Sequence, residues 1–132
     1  MTLIDRLSKL DGPNRRLDHE IHILFFVADD KKDTVEWNHF GSYSWSPSPD
    51  HVMIDKVPSY TASVDAAIAL AERVLPGWKW YAGNWNVHAA VLSPDRNNDQ
   101  RAVAATPAIA LCIAVLKGHA TILRVKEASH GQ

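Results

Sequence analysis

The sequence predicts a single α+β domain in which a small antiparallel sheet with a β-hairpin packs against three to four helices, the last helix innermost. Three observations carry this. Apolar residues recur at helical spacing from Val64 to Leu75. They alternate through Trp78–Leu92 on either side of a Gly-Asn pair. From Ala108 to Leu116 they are continuous.

Thr2 can cap a short helix carrying Leu3, Leu7 and Leu10, and Asp11-Gly12-Pro13 stops it. A second segment from Asn14 passes through Leu17, Ile21, Leu24 and Phe25 at helical spacing. Ile21, Ile23, Phe25 and Val27 also alternate as in a strand, and helix is favoured for the first part. Asp29–Asp33 reads as a charged loop. Val35–Trp45 reads as strand, with a bend or hairpin at Gly41. Ser46–Asp50 is a turn-rich loop.

Thr61 or Ser63 caps the next helix, Asp65 favours its dipole, and Pro76-Gly77 ends it. In the hairpin a two-residue Gly83-Asn84 turn sets Ala82 opposite Trp85, Trp80 opposite Val87 and Trp78 opposite Ala89. Lys79, Tyr81, Asn86 and His88 then share the wetter face. Ser93–Arg101 reads as a polar loop. Thr106 caps the last helix, Pro107 occupies its first position, and Gly118 is expected to stop it. The expected segments of the single domain are therefore 1–28 helical, 34–92 strands and central helix, 105–118 C-terminal helix and 126–132 a loose tail.

The totals fit this reading. The chain has 132 residues, 46% hydrophobic and 22% charged, with a net charge of −1. That is an ordinary globular balance, with no global positive field for nucleic acid. One cysteine excludes an intramolecular disulfide and an all-cysteine zinc cluster. No apolar signal core opens the chain, and the run Ala102–Leu116 is too short to span a bilayer, so a cytoplasmic protein is expected.

No catalytic motif stands out. There is no G-x-S-x-G elbow and no glycine-rich phosphate loop. His19 and His22, flanked by Asp18 and Glu20, could hold a metal with a third ligand, but a solvated polar helix face is the favoured reading, so no metal and no cofactor are expected. His88 could act on the wetter hairpin face, but a surface or half-buried histidine without a role is the favoured reading. Cys112 reads as a buried structural thiol. Five tryptophans are many for this length. Trp78 and Trp80 are expected to fill the core. Trp37, Tyr43, Trp45 and Tyr60 flank Ser/Pro/His-rich loops and are the candidate ligand or partner residues, since such rings stack on bases and anchor interfaces.

Four blocks carry a family likeness. Leu10-Asp11-Gly12-Pro13-Asn14-Arg15-Arg16-Leu17-Asp18 resembles an opening L-x-G-P-(D/N)-R-x-L-D. Val57–Ala67 resembles a P-x-Y-T-(A/S)-S-(I/L/V)-D-A-A block. Pro76–Trp80 resembles (E/P)-G-W-x-W, and Ala105–Cys112 resembles A-T-P-A-(L/I)-A-L-(C/T). These are similar to small tailed-phage and prophage proteins described as phage ABA sandwich domain proteins, with Ala28–Val52 matching poorly. The family has no settled activity, so the likeness implies a setting and no site. The implied role is a non-catalytic accessory protein in the bacterial host cytoplasm that binds a host protein or a small nucleotide signal to counter defence, a homo-oligomer interface being one place for the ligand. An anti-CRISPR-like inhibitor and a small enzyme with a histidine site are the alternatives.

Overall fold

The computed structural model describes residues 2–26, 36–37, 43–45, 52–54, 57–83 and 88–130. The side chains of 36–37, 43–45, 52–54 and 125–130 lie outside that description.

Helix α1 (Leu3–Ser8) opens on a capping box. Thr2 accepts from the Asp5 amide at 3.1 Å, and the Asp5 side chain accepts from the Thr2 amide. Helix α2 (Arg15–Phe26) is capped by Asn14, whose Oδ1 accepts from the Leu17 amide at 3.0 Å. Helical spacing prevails over the competing alternation along its whole length, because Leu17 and Ile21 enter the core one turn apart.

Strands β1 (Glu36–Trp37), β2 (Tyr43–Trp45) and β3 (Val52–Ile54) form one antiparallel sheet in that order. β3 is an element the sequence reading did not anticipate. Helix α3 (Val64–Val74) takes Ser63 as its cap, the hydroxyl accepting from Ala66 N at 3.2 Å. It buries Ala67, Leu70 and Ala71, with Leu75 buried just beyond it. Gly77, at φ +84°, turns the chain out of the helix.

Strands β4 (Lys79–Gly83), β5 (His88–Leu92) and β6 (Gln100–Val103) form the second antiparallel sheet, again in sequence order. Two expectations change here. Gly83 pairs with His88, so four residues connect the strands, and Trp80 lies opposite Val91 rather than Val87. The slip is an even number of residues, so the same residues keep the same face. The loop expected over Ser93–Arg101 gives way to β6 at Gln100, where Gln100 and Ala102 alternate with Arg101 and Val103.

Helix α4 (Pro107–His130) lies across this sheet, with α3 and α1 packed on it. Thr106 caps it, accepting from Ile109 N at 3.2 Å. Ala108–Leu116 is buried all round. Gly118 does not stop the helix. It lies where α4 meets its neighbours most closely: an added Cβ would fall 3.0 Å from Leu75, 3.1 Å from Val91 and 3.2 Å from Trp78. The glycine is therefore a packing residue, and the helix passes through it into the segment expected to be a loose tail, of which 131–132 lie outside the described residues.

The longer helix also removes the length argument against a membrane span. Pro107–Arg124 is long and apolar enough to cross one, yet 61% of it is buried within the protein. Its apolar surface is spent on the sheet and on α3.

Ala89, Val91 and Ala102 face α4 and belong to the core. The opposite face of the sheet, with Tyr81, His88, Ala90, Leu92, Arg101 and Val103, has no described helix against it.

Candidate functional site

The residues singled out in the sequence separate into three places, and the structure adds new partners at the third. The first is a buried clasp. Asp18 and His19, expected on a solvated face, are 2% and 1% exposed. The helix turns them inward because Asp18 answers a neighbouring segment. Its Oδ1 accepts from the Thr61 amide at 2.8 Å and the Thr61 hydroxyl at 2.7 Å. Arg15 donates to Asp18 at 3.3 Å and to the Val57 carbonyl at 2.6 Å. Asn14 N donates to Thr61 Oγ1 at 2.9 Å. His19 Nδ1 lies 2.9 Å from the Arg15 carbonyl oxygen.

Tyr60 also belongs to this clasp. It was expected at a surface, but it is 2% exposed, so its ring offers no open face to a ligand. Its hydroxyl lies 3.0 Å from His22 Nδ1. Burial pushes the phenol up to about 12, so the hydroxyl keeps its proton and donates to His22. Burial, with the charges of Arg73 and His19, holds His22 below its ordinary value, so the ring stands neutral and accepts. Arg73 sits 4.1 Å over the Phe26 ring beside them. Cys112, fully buried, donates from Sγ to the Tyr60 carbonyl at 3.4 Å, and burial drives its thiol far above the ordinary range. No group of three or more His, Cys, Asp or Glu side chains converges as a metal would require among the described residues.

The second place is the sheet β1–β3. Trp37 stands opposite Tyr43, Tyr43 opposite Ile54 and Trp45 opposite Val52, so the three aromatic positions share one face. Their side chains, and the whole of His39 and His51, lie outside the described residues.

The third place is the open face of the sheet β4–β6. Tyr81, Ala90 and Arg101 form one row across the three strands. Tyr81 and Arg101 are thus two strand spacings apart, roughly 9–10 Å. The Ala90 methyl between them is too short to fill that gap. The result is a trough of about 290 Å³ with Ala90 as floor, Tyr81 and Arg101 as walls, His88 at one end, and Leu92 and Arg96 at the other.

The Tyr81 ring leans over Gly83, where an added Cβ would fall 2.9 Å from its Cζ, and lies 5.2 Å from the His88 ring. A glycine in an edge strand covered by an aromatic ring is a recurring way to fix such a ring flat on a sheet. Trp80, expected in the core, is 39% exposed at the margin of the same edge strand, while Trp78 is half-buried against the core.

Arg96 is brought to the trough by a braced turn. Ser93 N donates to Asp99 at 2.9 Å, Ser93 Oγ to Asp95 at 2.8 Å, and Asn98 N to Ser93 Oγ at 3.0 Å. These bonds hold Arg96 at φ 62°, a conformation that costs a residue with a Cβ about 1 kcal/mol. Arg96 Nε donates to Asp99 at 2.8 Å, which holds the Asp99 carboxyl below its usual range. The Arg101 guanidinium has no partner among the described residues.

Tyr81 and His88 were legible on the wetter face. Arg96, Arg101, Ala90 and Leu92 were not joined to them, because the hairpin register was displaced and β6 unseen. The signal that could have shown it is the alternation of Gln100-Arg101-Ala102-Val103 just after an Asp-containing turn.

No protein-family model, no curated protein and no solved structure matches the chain.

Proposed function

We propose that the protein is a non-catalytic accessory protein of a phage or prophage that binds a host factor or small nucleotide signal in the cytoplasm of a bacterial host and so counters defence. The phage setting rests on the sequence blocks alone. The binding role rests on one observation: a trough lined by Tyr81, His88, Arg96 and Arg101 on a sheet face that no described helix covers. Concave sites with a few convergent polar groups are where small ligands bind.

Binding is favoured over chemistry by the condition of the obvious reactive groups. Cys112 is sealed in the core as a thiol, and His19 is packed inside the clasp. Occlusion of a host protein, in the manner of an anti-CRISPR inhibitor, is the second reading, favoured by Val103, 71% exposed on the edge strand β6 of the same face.

The test exposes the purified chain to a bacterial small-molecule extract and reads bound mass by native mass spectrometry. The expected result is one retained small molecule, lost in Ala90→Leu, which fills the trough. Retention equal in both proteins, or none in either, contradicts the reading.

A further inference from the structure

We infer that the trough over Ala90 takes a nucleoside monophosphate, its base against Tyr81 and His88 and its phosphate on Arg101 and Arg96. This rests on the binding role proposed above and names the class of ligand.

Three features point the same way. The two sides differ in chemistry. One wall is a tyrosine ring laid over a glycine beside the His88 imidazole, and the facing wall is the Arg101 guanidinium, with Arg96 at the end away from His88. Aromatic faces suit a planar base. Guanidinium forks match the paired oxygens of a phosphate, and two of them suit a dianion better than a single carboxylate would.

Charge agrees. Lys79 and Arg101 lie on this face, and Arg96 meets the Asp99 carboxylate through Nε, not through its Nη groups. Arg96 is held there at positive φ by its turn, and strain of this kind gathers at ligand sites.

Size selects the ligand. About 290 Å³ lies at the lower limit of small-molecule sites, roughly 300–1,000 Å³, which suits one nucleotide rather than two. A polynucleotide is disfavoured by the net charge of −1.

The test is titration calorimetry of the full chain with adenosine, guanosine, cytidine and uridine monophosphates, with the parent nucleosides, inorganic phosphate and a single-stranded octanucleotide as comparators. At least one monophosphate is expected to bind at micromolar concentration, with its nucleoside and inorganic phosphate each about tenfold weaker or worse. Arg101→Ala is expected to weaken it at least about tenfold and to flatten its salt dependence. Gly83→Ala, which adds no charge but displaces the Tyr81 ring, is expected to weaken the monophosphate and leave inorganic phosphate unchanged. Neither variant touches the core, so both remain readable if Ala90→Leu fails to fold.

Four monophosphates without binding, binding indifferent to Arg101→Ala and Gly83→Ala, or an octanucleotide bound about tenfold tighter than any monophosphate would each overturn the inference. If the small-molecule extract yields a ligand that is not a nucleotide and that Ala90→Leu still excludes, this inference falls while the binding role stands.

Discussion

Replacing Asp18 by alanine removes the group that ties α2 to the segment before α3. Three interactions go with it, and they are not equal. The Thr61 amide is fully buried and loses a partner at 2.8 Å, which leaves a donor unsatisfied at a cost of about 1–3 kcal/mol. The Thr61 hydroxyl loses its 2.7 Å bond but can turn to the Asn14 carbonyl at 3.3 Å, so its loss is smaller. The Arg15 pair adds under about 1 kcal/mol, since Arg15 is 44% exposed. Asp18→Ala should therefore destabilise by about 2–4 kcal/mol. Asp18→Asn keeps an oxygen for both Thr61 donors and turns an NH₂ toward Arg15, so it should cost about half as much. Urea unfolding followed by tryptophan fluorescence measures both. An Asp18→Ala protein within about 0.5 kcal/mol of the parent, or an Asn variant as damaged as the Ala variant, would refute the reasoning.

Other perturbations follow from the same packing. Gly118→Val should destabilise by about 2–4 kcal/mol by thermal melt, because Leu75, Val91 and Trp78 already stand within 3.2 Å of where a Cβ would go; a neutral result would mean α4 does not approach the sheet so closely. His22 lies below its ordinary 6.5 in the folded chain, so the unfolded chain takes up the proton first as pH falls. The stability it confers is full above pH 6.5 and is lost on acidification, so the urea midpoint should fall between pH 7 and pH 5 more for the parent than for His22→Gln, and parallel curves would contradict this. Asp5, Asp95 and Asp99 are held below their usual range, mainly by hydrogen bonds, so what they contribute is present above their ordinary 3.8 and is lost only as pH falls below it. Cys112 should resist a thiol reagent in the native protein and react on unfolding; labelling at the native state would place it outside the core.

The strongest sequence blocks turn out to mark the clasp. Asn14, Arg15 and Asp18 from one block meet Val57 and Thr61 from a second, and Cys112 from a third reaches the Tyr60 carbonyl. Their residue types were legible as caps and turns, but their partnership was not, because a bond across more than 40 residues leaves no mark on local spacing. For that reason His19 and Tyr60 were expected outside and lie within. Helix caps at Thr2, Ser63 and Thr106 were readable because a cap acts within three residues.

Gly118 misled because a helix stop and a close approach call for the same residue, and only the neighbours distinguish them. The trough was half visible. Face parity survived the register error, so Tyr81 and His88 were placed together, but the third strand that brings Arg101 beside Ala90 was read as loop.

The open face of β4–β6 is the surface on which binding is proposed to take place. An amide-resolved NMR titration of the full chain with guanosine and adenosine monophosphates tests it at residue level. The predicted result is a set of shifts centred on Tyr81, His88, Ala90, Leu92 and Arg101, and absent from α1 and α2. Shifts gathered instead around Leu24 of α2 and Leu123 of α4, which are exposed beside one another on the helical side, or no shifts at millimolar nucleotide, would contradict it.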